Sequence, residues 1–125
     1  MKRYLFFVLF TLACNHNQSG KVISLNPDSY EKQLSQTDLV IDVRTPEEFQ
    51  EGHLYNAINV DFLDSSFDLQ ISEYKENKKV FIYCRSGKRS AQAAAKMLGL
   101  GFEKVVNLKG GLVAWKNEGK VITSD

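Results

Sequence analysis

A cysteine follows a predicted buried strand and opens a short basic loop. The apolar run 80–83 ends directly at Cys84, and an alanine-rich helical stretch begins at Ser90. Between them lie Arg85, Ser86, Gly87, Lys88 and Arg89. A loop at a helix start points backbone N–H groups inward and adds the positive end of the helix dipole, so it favours an anion at its centre. The pattern therefore predicts that Cys84 is held as a thiolate, which is the nucleophilic form of the side chain.

An inert core cysteine is the alternative interpretation, and on residue type alone it is the commoner one. The neighbours of Cys84 favour the reactive interpretation instead. A glycine follows three residues later, and cations stand at positions 85, 88 and 89. Reactive cysteines lie in electropositive surroundings of this kind, whereas inert ones do not. Cys84 is therefore the candidate nucleophile.

Other polar residues also follow predicted strands. Asp42 and Arg44 lie at and just after the end of the strand 39–43, and the segment 109–111 follows the last strand. In open parallel sheets, ligands bind at the carboxyl ends of the strands. We therefore expect these segments and the Cys84 loop to share one rim of the sheet, which is the predicted active site.

Apolar runs and helical patterns alternate along the chain, which is typical of an α/β domain with a mainly parallel sheet. Helices are predicted to begin at Pro27 and near Thr45, and Leu69, Ile71 and Tyr74 are predicted to form the inner face of a helix. The predicted strands are 22–25, 39–43, 57–60, 80–83 and 105–107, and the later helices are 90–98 and 110–118. The fold class is a roughly five-stranded sheet flanked by helices on both faces.

Length and composition indicate one ordinary globular domain. The chain has 125 residues, of which 43% are hydrophobic and 25% are charged. Its formal net charge is only +1. Such a balance argues against a general polyanion binder, so no nucleic-acid partner is expected.

The first fourteen residues have the pattern of an export signal. Lys2 and Arg3 are followed by an apolar stretch from Tyr4 to Phe10, which is too short to span a bilayer. Residues 11–14 resemble the lipobox of bacterial lipoproteins, in which the cysteine, here Cys14, receives a lipid and becomes the new N-terminus after cleavage. A plain secretory signal is the alternative.

The predicted organisation is a signal peptide at 1–14, a flexible polar tether at 15–21 and a folded domain at 22–125. We expect an exported lipoprotein that is anchored to a membrane through Cys14 and faces the periplasm or the cell exterior. With Cys14 carrying lipid, Cys84 is the one remaining thiol of the chain, and no intramolecular disulfide can form.

Several motifs in order resemble a single-domain rhodanese. The front half of that pattern is matched by segments 42–44, 47–49, 52–54 and 57–59. Segment 84–90 is similar to the rhodanese active-site loop, and Gly110 and Gly111 with Trp115 are similar to its C-terminal motif. The resemblance covers roughly residues 22 to 118.

The resemblance implies a sulfurtransferase. Cys84 would take the outer sulfur of a small anionic donor such as thiosulfate, hold it as a persulfide, and pass it to cyanide, a thiol or a protein acceptor. The loop amides would hold the donor together with Lys88, Arg89 and Arg85. No metal or organic cofactor is needed for this chemistry.

The remaining site residues are given supporting roles. Arg89 is expected to turn toward the loop and pair with an acid such as Asp42, while Lys88 contacts the substrate. Arg44 and Glu48 are four residues apart and are expected to pair across a short helix, with a structural or a functional role.

Two other functions remain open. Phosphatases and arsenate reductases of the related fold resemble a cysteine followed by five residues and then arginine, whereas here Arg89 follows Cys84 after four. A non-catalytic rhodanese-like module is the second alternative. The intact Cys84 loop argues against an inactive domain, but it is compatible with a persulfide sensor or a carrier that serves one protein partner. His53 is a candidate base, although the Gly-His pair at 52–53 is more typical of a turn.

Overall fold

A computed structural model describes residues 20–125. The predictions for the signal peptide, for Cys14 and for nearly all of the tether therefore lie outside the described residues. Ten elements follow in chain order: β1 (Lys21–Leu25), α1 (Pro27–Gln33), β2 (Leu39–Asp42), α2 (Pro46–Glu51), β3 (Ile58–Asn59), α3 (Phe67–Ser72), β4 (Val80–Tyr83), α4 (Lys88–Gly99), β5 (Lys104–Leu108) and α5 (Gly111–Asn117).

The strands form one parallel sheet in the order β1-β5-β4-β2-β3. All four residues of β4, in the middle of the sheet, are completely buried. Strands covered on both faces read as continuous apolar runs, which explains why β2 and β4 are easily seen in the sequence. The predicted α/β class and five-stranded parallel sheet are confirmed.

The two faces of the sheet bury separate apolar clusters. Because side chains alternate along a strand, neighbouring residues of β4 belong to opposite clusters. One cluster packs under α3 and α4 and includes Ile41, Ile82, Val105, Ala94 and Met97. The other packs under α1 and α5 and includes Tyr30, Val40, Phe81, Val106 and Trp115. The predicted layers of helices on both faces are therefore present.

Some element boundaries differ from the prediction. β1 takes Lys21 from the predicted tether, β2 ends at Asp42, and β3 is only two residues long. α4 begins at Lys88 rather than at Ser90, because Gly87 adopts a left-handed conformation (φ 96°) and ends the loop there. The two cations at 88 and 89 thus belong to the first helical turn.

Among the described helices, none is long and apolar enough to cross a membrane.

The prediction for α3 was wrong about Leu69. That side chain is 76% exposed, while Phe67 and Ile71 are buried. The buried pair is spaced i, i+4 and so lies on one helical face, whereas Leu69 falls between them and points outward. Tyr74 is partly buried and packs against the same cluster as Ile71.

We predict that Ile71→Ala destabilises the protein by about 2–5 kcal/mol, because it leaves a cavity in a fully buried cluster. The matched variant Leu69→Ala removes an exposed leucine from the same helix and should change stability by less than about 0.5 kcal/mol. Urea unfolding of both variants measures the two effects. Equal losses would contradict the orientation of α3 described above.

Candidate active site

The Cys84 side chain is enclosed by the loop that follows β4. Its Sγ accepts hydrogen bonds from the Gly87 backbone N–H at 3.1 Å and from the Ser90 hydroxyl at 3.3 Å. The thiol is completely buried, and Cys84 is the only cysteine in residues 20–125. Gly87 adopts the left-handed conformation where the loop passes into α4, and glycine does so without steric cost. The loop thus aims donors at the sulfur, as an anion requires.

Ser90 also contacts the sulfur, and no such contact was predicted for it, although it is the last residue of the loop-like segment 84–90. Its single hydroxyl proton has two acceptors within reach, the Cys84 Sγ and the Gly87 carbonyl at 3.2 Å. The position of Ser90 in the first helical turn could have indicated this contact, because side chains there lean toward the N-terminus of the helix. A serine on that turn therefore points back at the loop.

The first turn of α5 holds the loop from behind. Leu112 N–H donates to the Cys84 carbonyl at 2.9 Å, and Val113 N–H donates to the Arg85 carbonyl at 3.0 Å. The approach requires glycine at position 111, where a Cβ would lie 2.6 Å from the Cys84 carbonyl oxygen and φ is +61°. These two bonds satisfy N–H groups that a helix start otherwise leaves unpaired. In a planar trans peptide the N–H points opposite to the C=O. The N–H groups that share a peptide plane with these two carbonyls therefore point away from α5.

Arg89 pairs with an acid, as expected, but that acid is Glu48 and not Asp42. Its two terminal nitrogens lie 2.6 and 2.9 Å from the two carboxylate oxygens. Glu48 also completes a capping box with Thr45 at the start of α2. The hydrogen bond to Glu48 raises the pKa of Arg89, and the same bond lowers the pKa of Glu48 from 4.5 to about 2. The Glu48 carboxylate therefore links α2 to α4, the helix that follows the Cys84 loop.

The expected pair of Arg44 with Glu48 is also absent, because Arg44 turns back to Asp42. Both side chains are buried, with 2.7 Å between Arg44 Nη2 and Asp42 Oδ2. Burial opposes the charge on Arg44, but the hydrogen bond to Asp42 and its negative charge together raise the Arg44 pKa. Asn59 donates to the carbonyls of Asp42 and Arg44. These contacts fix the end of β2 beside the loop.

His53 occupies a structural position. Its Nδ1 lies 2.9 Å from the Phe49 carbonyl, and its ring stacks on Phe49. Its backbone pairs with Thr123 near the C-terminus. The structure records no contact between His53 and the Cys84 sulfur.

A pocket of about 430 Å³ opens beside the loop. Its lining residues come from four segments and are Arg44, Glu48, Glu51, Arg85, Leu112, Val113 and Lys116. The carboxyl ends of β2, β4 and β5 are adjacent, so the predicted common rim is confirmed. Arg85 lines this pocket, whereas Lys88 is exposed at the start of α4 and does not. In residues 20–125 no group of three or more potential ligands could hold a metal ion.

Residues 26–118 match the family model of the rhodanese-like domain, which is about three quarters of the chain. The chain belongs to this family. Individual known proteins are also similar to this chain, in sequence and in fold. A sulfurtransferase of Allochromatium vinosum is 34% identical over 105 residues, which cover 82% of this chain and 96% of that protein.

Two further relatives extend the comparison. A chloroplastic thiosulfate sulfurtransferase of Arabidopsis thaliana is 36% identical over 89 residues, covering 63% of this chain and 74% of the plant protein. The crystal structure of a rhodanese-related protein from Thermoplasma volcanium superposes with a TM-score of 0.73 at 28% identity. That alignment covers 82% of this chain and 99% of the archaeal one.

The rhodanese-like loop should depend on close backbone approach at Gly111. We predict that Gly111→Ala costs at least about 2 kcal/mol, because alanine at positive φ is strained and its Cβ meets loop carbonyls. Gly99→Ala is the matched control, since a Cβ there meets nothing within 4 Å. Chemical unfolding measures both variants, and a Gly111→Ala protein as stable as Gly99→Ala would contradict the described packing of α5.

The ion pair between Glu48 and Arg89 should stabilise the domain in a pH-dependent way. The pKa of Glu48 is about 2 in the folded protein against 4.5 ordinarily. A lowered carboxyl pKa contributes stability that is complete above pH 4.5 and disappears as the pH falls toward 2.

We therefore predict that the stability difference between wild type and Glu48→Gln is about 1 kcal/mol near neutrality and shrinks below pH 4.5. Urea titrations between pH 2 and 6 measure it. Glu47→Gln, which removes an exposed neighbouring carboxylate, should show a difference below about 0.5 kcal/mol throughout. A difference for Glu48→Gln that stays constant over this pH range would contradict the assigned ion pair.

Proposed function

We propose that this chain is a sulfurtransferase that carries a sulfane sulfur on Cys84 as a persulfide. The observation that carries the proposal is the sulfur contact itself. Two donors, the Gly87 amide and the Ser90 hydroxyl, converge on Sγ in a loop held by α5. Hydrogen bonds to a charged sulfur are strong, and donors that are already in place need no reorganisation during the reaction.

The first half-reaction loads the enzyme. The Cys84 thiolate attacks the outer sulfur of thiosulfate, and the bond between the two donor sulfurs breaks. Its electron pair leaves with sulfite, and a new S–S bond joins Cys84 to the transferred sulfur. In the second half-reaction a nucleophile such as cyanide or a thiolate attacks that outer sulfur, and the electron pair returns to the Cys84 Sγ. The covalent intermediate divides the transfer into two easier steps.

The cations around the loop have different tasks in this mechanism. Arg85 lines the pocket, so we assign it, rather than Lys88, the attraction of the anionic donor. Arg89 is fixed by Glu48 and acts on the sulfur through its charge alone. Ser90 and Gly87 stabilise the thiolate each time it is released.

The position of Arg89 disfavours phosphatase chemistry. An arginine binds a phosphate most strongly through two parallel hydrogen bonds from its guanidinium group. Both terminal nitrogens of Arg89 are already bound to Glu48. The structure therefore favours transfer of a single sulfur atom over transfer of a phosphoryl group.

We further propose that the domain is exported and anchored to a membrane through lipid on Cys14. The support is the sequence pattern alone, a basic start, a short apolar stretch and a lipobox-like segment at 11–14. A short polar tether would then keep the domain close to the membrane surface.

The catalytic proposal predicts that Cys84→Ser abolishes thiocyanate formation from thiosulfate and cyanide, a loss of at least about 1000-fold, because a serine hydroxyl cannot form a persulfide. Cys14→Ser is the matched control, since it removes the other cysteine and should retain turnover. Circular dichroism checks that both variants are folded. Turnover by Cys84→Ser at the wild-type rate would rule out the mechanism.

The anchor proposal predicts that Cys14→Ala moves the protein from the membrane fraction to the soluble fraction, because one acyl-bearing residue is lost. Immunoblots of separated fractions from a bacterial host measure the distribution. Ser19→Ala, in the predicted tether, should leave it unchanged. Membrane association that survives Cys14→Ala would show that another feature holds the protein there.

A further inference from the structure

The charges lining the pocket at Arg85, the residue after Cys84, are of two kinds. Arg44 and Glu48 are already neutralised by their pairs with Asp42 and Arg89. Arg85, Lys116 and Glu51 form no ion pair with any residue of the described part of the chain, and all three are exposed. Two cations and one anion are thus available to a molecule that enters the pocket.

The pocket is larger than the donor alone requires. Its volume is about 430 Å³. Thiosulfate is a compact five-atom anion, whereas volumes of this order are typical of sites for larger organic molecules. The walls also include Leu112 and the half-exposed Val113, which offer apolar contact to a carbon skeleton. An organic thiol matches this lining better than an inorganic ion does.

We propose that Lys116 and Glu51 select an acceptor thiol of the amino-acid type, one that carries both a carboxylate and an ammonium group. Lys116 projects from α5 and Glu51 from the end of α2, so the two charges reach the pocket from different elements. A carboxylate is attracted to Lys116 and Arg85, and an ammonium group is attracted to Glu51. A purely anionic or purely cationic thiol satisfies only part of this arrangement.

This inference rests on the proposed function, because it concerns the second half-reaction. The acceptor thiolate attacks the outer sulfur of the Cys84 persulfide, and a new S–S bond forms on the acceptor. The S–S bond to Cys84 breaks, and its electron pair remains on the Cys84 Sγ. The acceptor leaves as a persulfide, and no oxidant or reductant is consumed.

Charge-reversal variants of the full-length protein test the proposal. Four thiols serve as probes: 2-mercaptoethanol is neutral, 3-mercaptopropionate is anionic, cysteamine is cationic and cysteine is zwitterionic. Thiosulfate is the donor, and release of sulfite is followed at saturating donor. Because thiols differ in intrinsic reactivity, each kcat/KM is divided by that for 2-mercaptoethanol in the same variant, and the ratios are compared across variants.

Lys116→Glu should lower the ratio for 3-mercaptopropionate about three- to tenfold and raise that for cysteamine, since partly exposed charges interact with this modest strength. Glu51→Lys should have the opposite effect on both ratios. The ratio for cysteine should fall in either single variant. It should recover in the double variant, where the two charges have exchanged positions.

Matched controls separate a local effect from a change in net charge. Lys78→Glu and Glu76→Lys reverse exposed charges that do not line the pocket, so their ratios should equal those of the wild type. Ratios for Lys116→Glu and Glu51→Lys that match these controls would overturn the proposal while leaving the sulfurtransferase function intact. Failure of the wild type to release sulfite with any thiol or with cyanide would instead overturn the proposed function.

Discussion

The arrangement of the site depends on two backbone hydrogen bonds between the start of α5 and the loop after β4. Leu112 and Val113 donate to the carbonyls of Cys84 and Arg85, and Gly111 permits the close approach. These carbonyls are directed toward α5, and on the other side of the loop the Gly87 amide and the Ser90 hydroxyl meet at the sulfur. The last helix of the domain therefore supports the loop that begins with Cys84, at the carboxyl end of the central strand. In the proposed mechanism, these two donors stabilise the negative charge on the Cys84 sulfur.

Ion pairs complete the frame around this loop. Arg89 is a cation close to the thiol, yet Glu48 holds its side chain in a fixed position by two hydrogen bonds. Asp42 and Arg44 form a second, buried pair at the end of β2. Within residues 20–125, Arg85, Lys116 and Glu51 form no ion pair, and the proposed recognition of donor and acceptor rests on these three charges.

The sheet, the rim and Cys84 could be predicted because local signals mark them. The apolar run of β4 leads straight into the loop, and strand ends in a parallel sheet meet at one edge. The partners of the charged residues could not be predicted in the same way. Spacing favoured Arg44 with Glu48, but Arg89, 41 residues further along the chain than Glu48, takes that carboxylate, and Arg44 turns to Asp42. Such choices depend on how helices pack in three dimensions. Leu69 was misplaced because alternative helical faces of a short segment cannot be separated by apolar content alone.

The mass of the Cys84-containing peptide after incubation with thiosulfate tests the central claim most directly. The wild-type protein is incubated with thiosulfate, excess donor is removed, and half of the sample is treated with cyanide before digestion and mass spectrometry. The account predicts that this peptide gains the mass of one sulfur atom and that cyanide removes the gain completely. A Cys84 peptide of unchanged mass, or a sulfur adduct found only on another residue, would contradict it.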